Sequence, residues 1–343
     1  MKIRLRPVSE QVVVILGANS GIGRATADRF ARPGAKGVVS GRARDALEAL
    51  AQEIRSKGGE AIAIPANVND YSQVKNLADQ TIEKYGRIDT WIQAAAVTVY
   101  ARFEDTQPEE FKQVIDTNLI GHAYGAMAAL PHLKKQRTGS LIMISSVEGR
   151  KALPYHSAYA ASKHGIIAFV DALRMEIEQE RIPINITTIL PSSFNTPFFE
   201  KSKTKLGVQP APVPPVYEPE LAAEAIQYAA ENPVRELFVG GSGKSLGLLE
   251  RLSPRLADKT IMRLGQLQRT DKPKSENAPN NLYEHLEGYD RVYGEFGEIA
   301  KSESLYTRLR MSPVVQLAAG MGALALVGVI SSRILRSNIK GIR

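Results

Sequence analysis

Apolar and polar positions along the first two-thirds of the chain alternate between two periods. Short apolar runs at Val12–Leu16, Val38–Ser40, Ala61–Pro65, Thr90–Ala94, Ser140–Ile144, Ile184–Leu190 and Glu236–Val239 read as strands of a buried sheet. Between them lie stretches with helical spacing: one from Arg24, then Ala43–Lys57, Ser72–Tyr85, a long helix over Pro108–Leu133, Ala158–Glu180 and Glu220–Ala230. Strand and helix in alternation predict an α/β fold, a doubly wound parallel sheet of Rossmann type with helices on both faces. Phe194, Phe198 and Phe199, with the proline-rich run 210–215, predict an apolar flap over Pro197–Pro215; a linker with buried aromatics is the alternative. No internal repeat is present.

The pattern changes after Gly243, which divides the chain into a domain over 1–243, a helical and loop extension over 244–310, and a terminal segment over 311–343. Leu246, Leu249, Leu252 and Leu256 recur at helical spacing among Arg251, Arg255 and Lys259. That face fits a membrane surface, and it fits equally a docking site on the first domain or on a second subunit, which makes a homo-oligomer one expectation. Asp271–Asn281 reads as a polar linker. Val314–Ile330 runs seventeen residues without a charge, with arginines on both sides. As a helix it would span about 25 Å, within the accepted lengths for a roughly 30 Å hydrocarbon core. It is expected to be a membrane anchor, with a buried core helix as the competing reading. The first strand begins too early for a cleavable signal peptide.

Composition narrows the chemistry. The 343 residues include no cysteine, which excludes disulfides and thiolate sites, and the five histidines lack metal-site spacing. Sixteen Lys and Arg against ten Asp and Glu follow Gly243, so six of the net +8 charges belong to the extension. No basic stripe with interleaved aromatics marks a nucleic-acid surface, and no nucleic-acid partner is expected.

Two stretches carry candidate chemistry. Gly17-Ala18-Asn19-Ser20-Gly21-Ile22-Gly23 follows the first strand and opens a helix. Gly17 permits the tight turn, Gly21 a close approach of backbone to a pyrophosphate, and Gly23 close packing of helix on strand. Tyr159 and Lys163 stand four residues apart, on one face of a helix, thirteen residues after Ser146. A phenol ordinarily titrates near pH 10, at about 10, and a neighbouring ammonium should lower that value. Tyr159 could then exchange a proton with a substrate oxygen, with Ser146 at a strand end holding the same oxygen. Tyr155 and His156 lie close enough in sequence to border such a cleft.

These motifs together resemble the short-chain dehydrogenase/reductase family, in its GxxxGxG subgroup, over roughly Gln11 to Gly243. The resemblance implies that Gly17, Asn19, Ser20, Gly21, Ile22 and Gly23 border a dinucleotide. It implies that Ser146, Tyr159 and Lys163 are catalytic, that Tyr159 and Lys163 also touch the cofactor, and that Asn118 supports a water-borne proton relay. Pro191 and Thr196, in Pro191-Ser192-Ser193-Phe194-Asn195-Thr196, match the segment that lies against the nicotinamide carboxamide. The chain departs from the family at Leu16 for Thr, at Gln93-Ala94-Ala95-Ala96 for NNAG, at Ser192 for Gly and at Asn67 for the Asp facing the adenine. The first two changes remove a hydroxyl and an amide from adjacent strand ends.

The second strand bears on the cofactor. An NAD enzyme places an acid at its end, whereas arginine accommodates a 2′-phosphate; here Gly41 fills the acidic slot and Arg42 and Arg44 follow. NADP(H) is therefore expected. The resulting expectation is a carbonyl–alcohol oxidoreductase acting on a small, lipophilic molecule, held at a membrane by its terminal helix with the catalytic domain facing the cytoplasm. A second reading is a membrane-tethered dinucleotide sensor or scaffold that keeps the fold without turnover.

Overall fold

A computed structural model of the chain describes residues 3–241, 249 and 252–312. Seven parallel strands form its central sheet: β1 (Val12–Leu16), β2 (Lys36–Ser40), β3 (Glu60–Ala63), β4 (Thr90–Gln93), β5 (Ser140–Ile144), β6 (Asn185–Pro191) and β7 (Glu236–Val239). Their order is β3-β2-β1-β4-β5-β6-β7. Ile15 of β1 pairs with Val39 on one side and with Ile92 of β4 on the other. The strand order reverses at this point, and ligands of open α/β sheets bind in the crevice beyond such a reversal.

Side chains alternate across the sheet with a period of two. Val13 and Ile15 face one layer, where they meet Phe30, Leu50 and Ile226; Val14 and Leu16 face the other, with Leu77, Trp91 and Val170. The first layer is made by α1 (Gly21–Ala31), α2 (Arg44–Ser56) and a helix over Pro219–Glu231, the second by α3 (Tyr71–Tyr85) and two long helices described next. Each fully buried aliphatic side chain contributes about 1.5–3 kcal/mol, so the two clusters supply the main driving force for the sheet.

The helix expected over Pro108–Leu133 is divided. α4 (Pro108–Ile115) passes through a wider turn at Asp116–Ile120 into α5 (Gly121–Gln136). Such π turns recur at functional sites, and this one turns Asn118 fully inward. Below it, α6 (Ser157–Gln179) carries Tyr159 and Lys163.

The extension folds against the domain. Residues Arg269–Pro273, which overlap the start of the expected linker Asp271–Asn281, form a strand antiparallel to Val208–Pro210. Ala300–Lys301 pairs with Val216–Tyr217, and Gly240 N donates to Thr307 Oγ1 at 2.9 Å. A helix over Pro254–Gly265 docks through Ala257, Ile261 and Gly265, leaving Leu252 and Leu256 exposed. Leu252 and Leu256, two of the four leucines of that series, therefore take no part in the contact. Leu246 lies outside the described residues.

The membrane assignment is corrected. No helix among the described residues is long and apolar enough to cross a membrane, and Val314–Ile330 lies outside those residues. The expected membrane localisation, with its cytoplasm-facing orientation, is withdrawn.

Candidate active site

The carboxyl ends of the strands converge on one cavity. Gly17 follows β1, Gly41 follows β2, Ala94–Ala96 follow β4, Ser145 and Ser146 follow β5, and Ser192 follows β6; all border it. The glycine turn is packed as tightly as its sequence required. A Cβ on Gly23 would sit 2.0 Å from Gly17 O, and Gly17, at φ +101°, already meets the backbone of Ala95. Gly21, at φ +55°, leaves room for little beyond the Thr196 side chain, which a Cβ would approach to 3.1 Å. This cradle opens toward the positive end of α1, where backbone N–H groups favour an anion. The residues present therefore fit a dinucleotide.

α6 sets the opposite end of the cavity. Its first turns bring Tyr159 and Lys163 to the cavity wall beside Ser146. Ser146 Oγ accepts from Glu148 N at 3.1 Å and shares the cavity wall with the Tyr159 phenol. Lys163 Nζ donates to Ile144 O at 2.9 Å and stands 5.4 Å from the centre of the Tyr159 ring. The titration behaviour reverses one expectation. Burial pushes the Tyr159 phenol well above its ordinary range, the negative charge of Glu148 adds to the rise, and only Ser146 opposes it. Burial likewise pushes Lys163 down to about 7, partly offset by Glu148. In the enclosed cleft desolvation outweighs the Tyr–Lys pairing, so the expected lowering of the phenol does not occur in this state.

Asn118 does not border the cavity. Its amide donates to Val97 O and its carbonyl accepts from Val97 N, both at 2.9 Å, and Nδ2 reaches Ser162 Oγ at 3.1 Å. It fastens the loop that carries Val97, a residue of the cavity wall. Gln93 keeps an amide at the β4 end after all: it donates to Gly121 O and accepts from Trp91 Nε1, each at 3.1 Å. Leu16 beside it is fully buried. Asn67, Pro191 and Thr196 border the cavity, as do Asn19, Ser20 and Ile22. The Asn67 carbonyl is engaged in a local turn to Asn69 N at 3.1 Å.

Several contacts were not foreseen. His156 Nδ1 lies 3.0 and 3.1 Å from the two oxygens of buried Glu148. Its ring sits between Tyr100, at 3.9 Å, and Tyr159, at 4.9 Å. Rings continue from Tyr159 to Phe198, Phe199 and Phe296 at centroid spacings of 5.8, 5.5 and 5.8 Å. Proximity to Tyr159 had pointed to His156, whereas nothing local in sequence pairs it with Glu148.

The extension supplies the remaining wall. Asn281, His285, Leu286, Tyr289 and Asp290 border the same cavity. Asn19 Nδ2 donates to Asp290 Oδ1 at 2.8 Å, Gly21 N to Arg291 O at 2.9 Å, and Arg24 Nη1 to Asp290 O at 2.8 Å. Arg42, expected to meet a phosphate, donates to the carbonyls of Tyr283, Asn281 and Glu284 at 2.6, 2.9 and 3.1 Å. Residues 281–291 thus form a strap across the Asn19 and Arg42 end of the cavity.

A doubly wound sheet with a glycine-rich turn at its reversal point defines a dinucleotide-binding fold. Residues 11–207 match the short chain dehydrogenase family model, and the chain belongs to that family of oxidoreductases, which act on small molecules with a nicotinamide dinucleotide. It is 35% identical over 328 residues, 94% of this chain and 92% of the relative, to the uncharacterized oxidoreductase YxnA of Bacillus subtilis (strain 168). Among solved structures it resembles a 3-ketoacyl-ACP reductase from Sinorhizobium meliloti 1021, with a TM-score of 0.62, 29% identity, and coverage of 69% of this chain and 99% of that one. It also resembles an alcohol dehydrogenase from the archaeon Thermococcus sibiricus complexed with 5-hydroxy-NADP, with a TM-score of 0.59, 26% identity, and coverage of 66% and 95%.

Proposed function

We propose that the protein is an NADP(H)-dependent oxidoreductase that interconverts a carbonyl and an alcohol on a small molecule with an apolar body. The observation that carries this reading is the single cavity bordered at one end by the glycine turn and at the other by Ser146, Tyr159 and Lys163. The bound nicotinamide supplies or accepts the hydride. Ser146 and Tyr159, on the same cavity wall, hold the substrate oxygen between two hydroxyls. Tyr159 donates the proton in reduction and takes it in oxidation. Lys163, anchored on Ile144 O beneath the ring, steadies the negative charge that the phenol oxygen bears between proton transfers. Asn118 keeps the Val97 loop against this end.

An apolar substrate body is supported by Tyr100, Phe198 and Phe199, which border the cavity beside Tyr159. The choice of NADP(H) is supported by Gly41, which leaves no carboxylate at the β2 end to repel a 2′-phosphate. The 5-hydroxy-NADP in complex with the archaeal alcohol dehydrogenase agrees with it. Arg42, being tied to the strap, lends less support than its sequence position implied.

Purified protein incubated with NADPH or NADH and a panel of ketones, aldehydes and 3-ketoacyl thioesters tests the reading through loss of reduced-nicotinamide absorbance. Turnover of at least one carbonyl, faster with NADPH, is expected. Activity confined to NADH would refute the cofactor choice, and inactivity across the panel with both cofactors would count against the reaction class.

A further inference from the structure

Lys201 is a cation at the cofactor crevice for which the reaction described above has no use. It ends the short helical turn Phe198–Lys201, borders the cavity, and donates through Nζ to Ser20 Oγ in the glycine turn at 2.6 Å. A hydroxyl leaves its charge uncompensated. Among the described residues no carboxylate lies within salt-bridge distance of Nζ: Glu200 pairs with Arg291, and Asp290 is engaged with Asn19 and His285. The strap closes over the same point, since Asn281 N donates to Lys201 O at 2.9 Å while Asn281 O accepts from Arg42.

We propose that Lys201, with Ser20, is a phosphate-binding site of the dinucleotide crevice, roofed by the strap and contributed by the segment after β6 rather than by the glycine turn alone. The inference rests on the reading of the cavity as a nicotinamide dinucleotide site. An ammonium held in a partly desolvated wall is stabilised by an incoming anion, and a charge-assisted hydrogen bond to a phosphate oxygen is stronger than the bond to a hydroxyl that it replaces or shares. The state of Lys201 agrees: burial pulls it down to about 8, with Asp290 opposing and Arg42 reinforcing the shift. A group so placed gains from an anion that neutralises it. Phosphate chemistry is common to the pyrophosphate and to a 2′-phosphate, and Lys201 stands between the turn that cradles the first and the Arg42 side that faces the second.

Direct binding, independent of turnover, tests the site. NADPH and NADH are titrated into wild type, Lys201→Met and Lys201→Arg, following the reduced-nicotinamide fluorescence, with ADP and adenosine 2′-phosphate as competitors. Lys201→Met is expected to weaken NADPH roughly tenfold to a hundredfold, the worth of one charged hydrogen bond, and Lys201→Arg to restore most of it. Equal loss for NADH and for ADP places the pyrophosphate at Lys201; loss confined to NADPH and adenosine 2′-phosphate places the 2′-phosphate there. Affinities within about twofold of wild type in Lys201→Met, or an equal loss in Lys201→Arg, would overturn the proposal. Should Lys201→Met fail to fold, Lys201→Gln, which keeps a donor toward Ser20 without the charge, carries the same comparison. A wild type that prefers NADH, yet loses it in Lys201→Met, would sink the NADP(H) assignment and leave the Lys201 site standing.

Discussion

Asn19 donates its side-chain amide to the carboxylate of Asp290, 271 positions further along the chain, at 2.8 Å. The bond joins the glycine turn to the strap and sits where the crevice would otherwise open to solvent. Asp290 also receives His285 Nε2 at 3.2 Å, so one side chain links both halves of the strap to the domain.

Replacing this residue should loosen the roof. Asp290→Ala removes a hydrogen bond to a charged group, worth roughly 1.5–3 kcal/mol, and should speed release of the bound dinucleotide by about tenfold or more. Stopped-flow displacement of NADPH measures the rate. Hydrogen exchange of residues 281–291 should slow when NADPH binds the wild type; an unchanged release rate together with unchanged exchange would show that the strap does not cover the cofactor.

Tyr159→Phe should bind NADPH as wild type does and lose about two to four orders of magnitude in turnover, the usual worth of a positioned acid–base group. The ring keeps its contacts with His156 and Phe198, so stability should hold. Near-normal turnover in this variant would remove Tyr159 from the mechanism.

Lys163 gives a stability prediction whose sign follows from its depressed titration. The buried amine releases its proton near 7, against 10.5 for the unperturbed group. Between these values the unfolded chain binds more protons than the folded one, so native stability rises with pH across that window. Below it the full cost of the buried charge is felt. In the absence of cofactor, Lys163→Met should therefore be more stable than wild type at neutral pH and below, and this advantage should shrink as the pH climbs from about 7 toward the unfolded value. Thermal melts of both proteins across that range check it; an advantage that grew with pH would contradict the assignment.

Gly23→Ala tests the cradle. Its Cβ would meet Gly17 O at 2.0 Å, a backbone atom that cannot yield without opening the turn. Overpacking of this kind costs about 1–3 kcal/mol, and the lowered melting temperature should be accompanied by weakened binding of both NADPH and NADH. A variant that melts and binds as wild type does would show that the close approach is dispensable.

The seven strands were legible because their short runs are rich in apolar and β-branched residues, and Ser146, Tyr159 and Lys163 stood out by spacing together with the family resemblance. The break at Asp116–Ile120 was not, because Asn118 turns inward to bond the backbone of Val97, a partner that no local period reveals. The strap escaped for a related reason. Arg291 pairs with Glu200, and Lys274 in the stretch before the strap donates through Nζ to Ser202 O at 2.9 Å; both contacts join segments more than seventy positions apart, which no local pattern reveals. Arg42 was read as a free guanidinium because main-chain carbonyls, which hold it, leave no trace in sequence. Lys201 had one unused cue, a basic residue directly after Phe198-Phe199 in a segment otherwise expected to be an apolar flap.

The run of rings from Tyr100 through His156, Tyr159, Phe198 and Phe199 ends on Phe296, a residue of the extension. A graft that joined the first 243 residues to the tail of a distant cousin would set a foreign side chain at the end of that stack. The misfit would pass from ring to ring toward the reactive phenol. Domain and tail in this sense share one packed stack, even though the family model matches 11–207 alone.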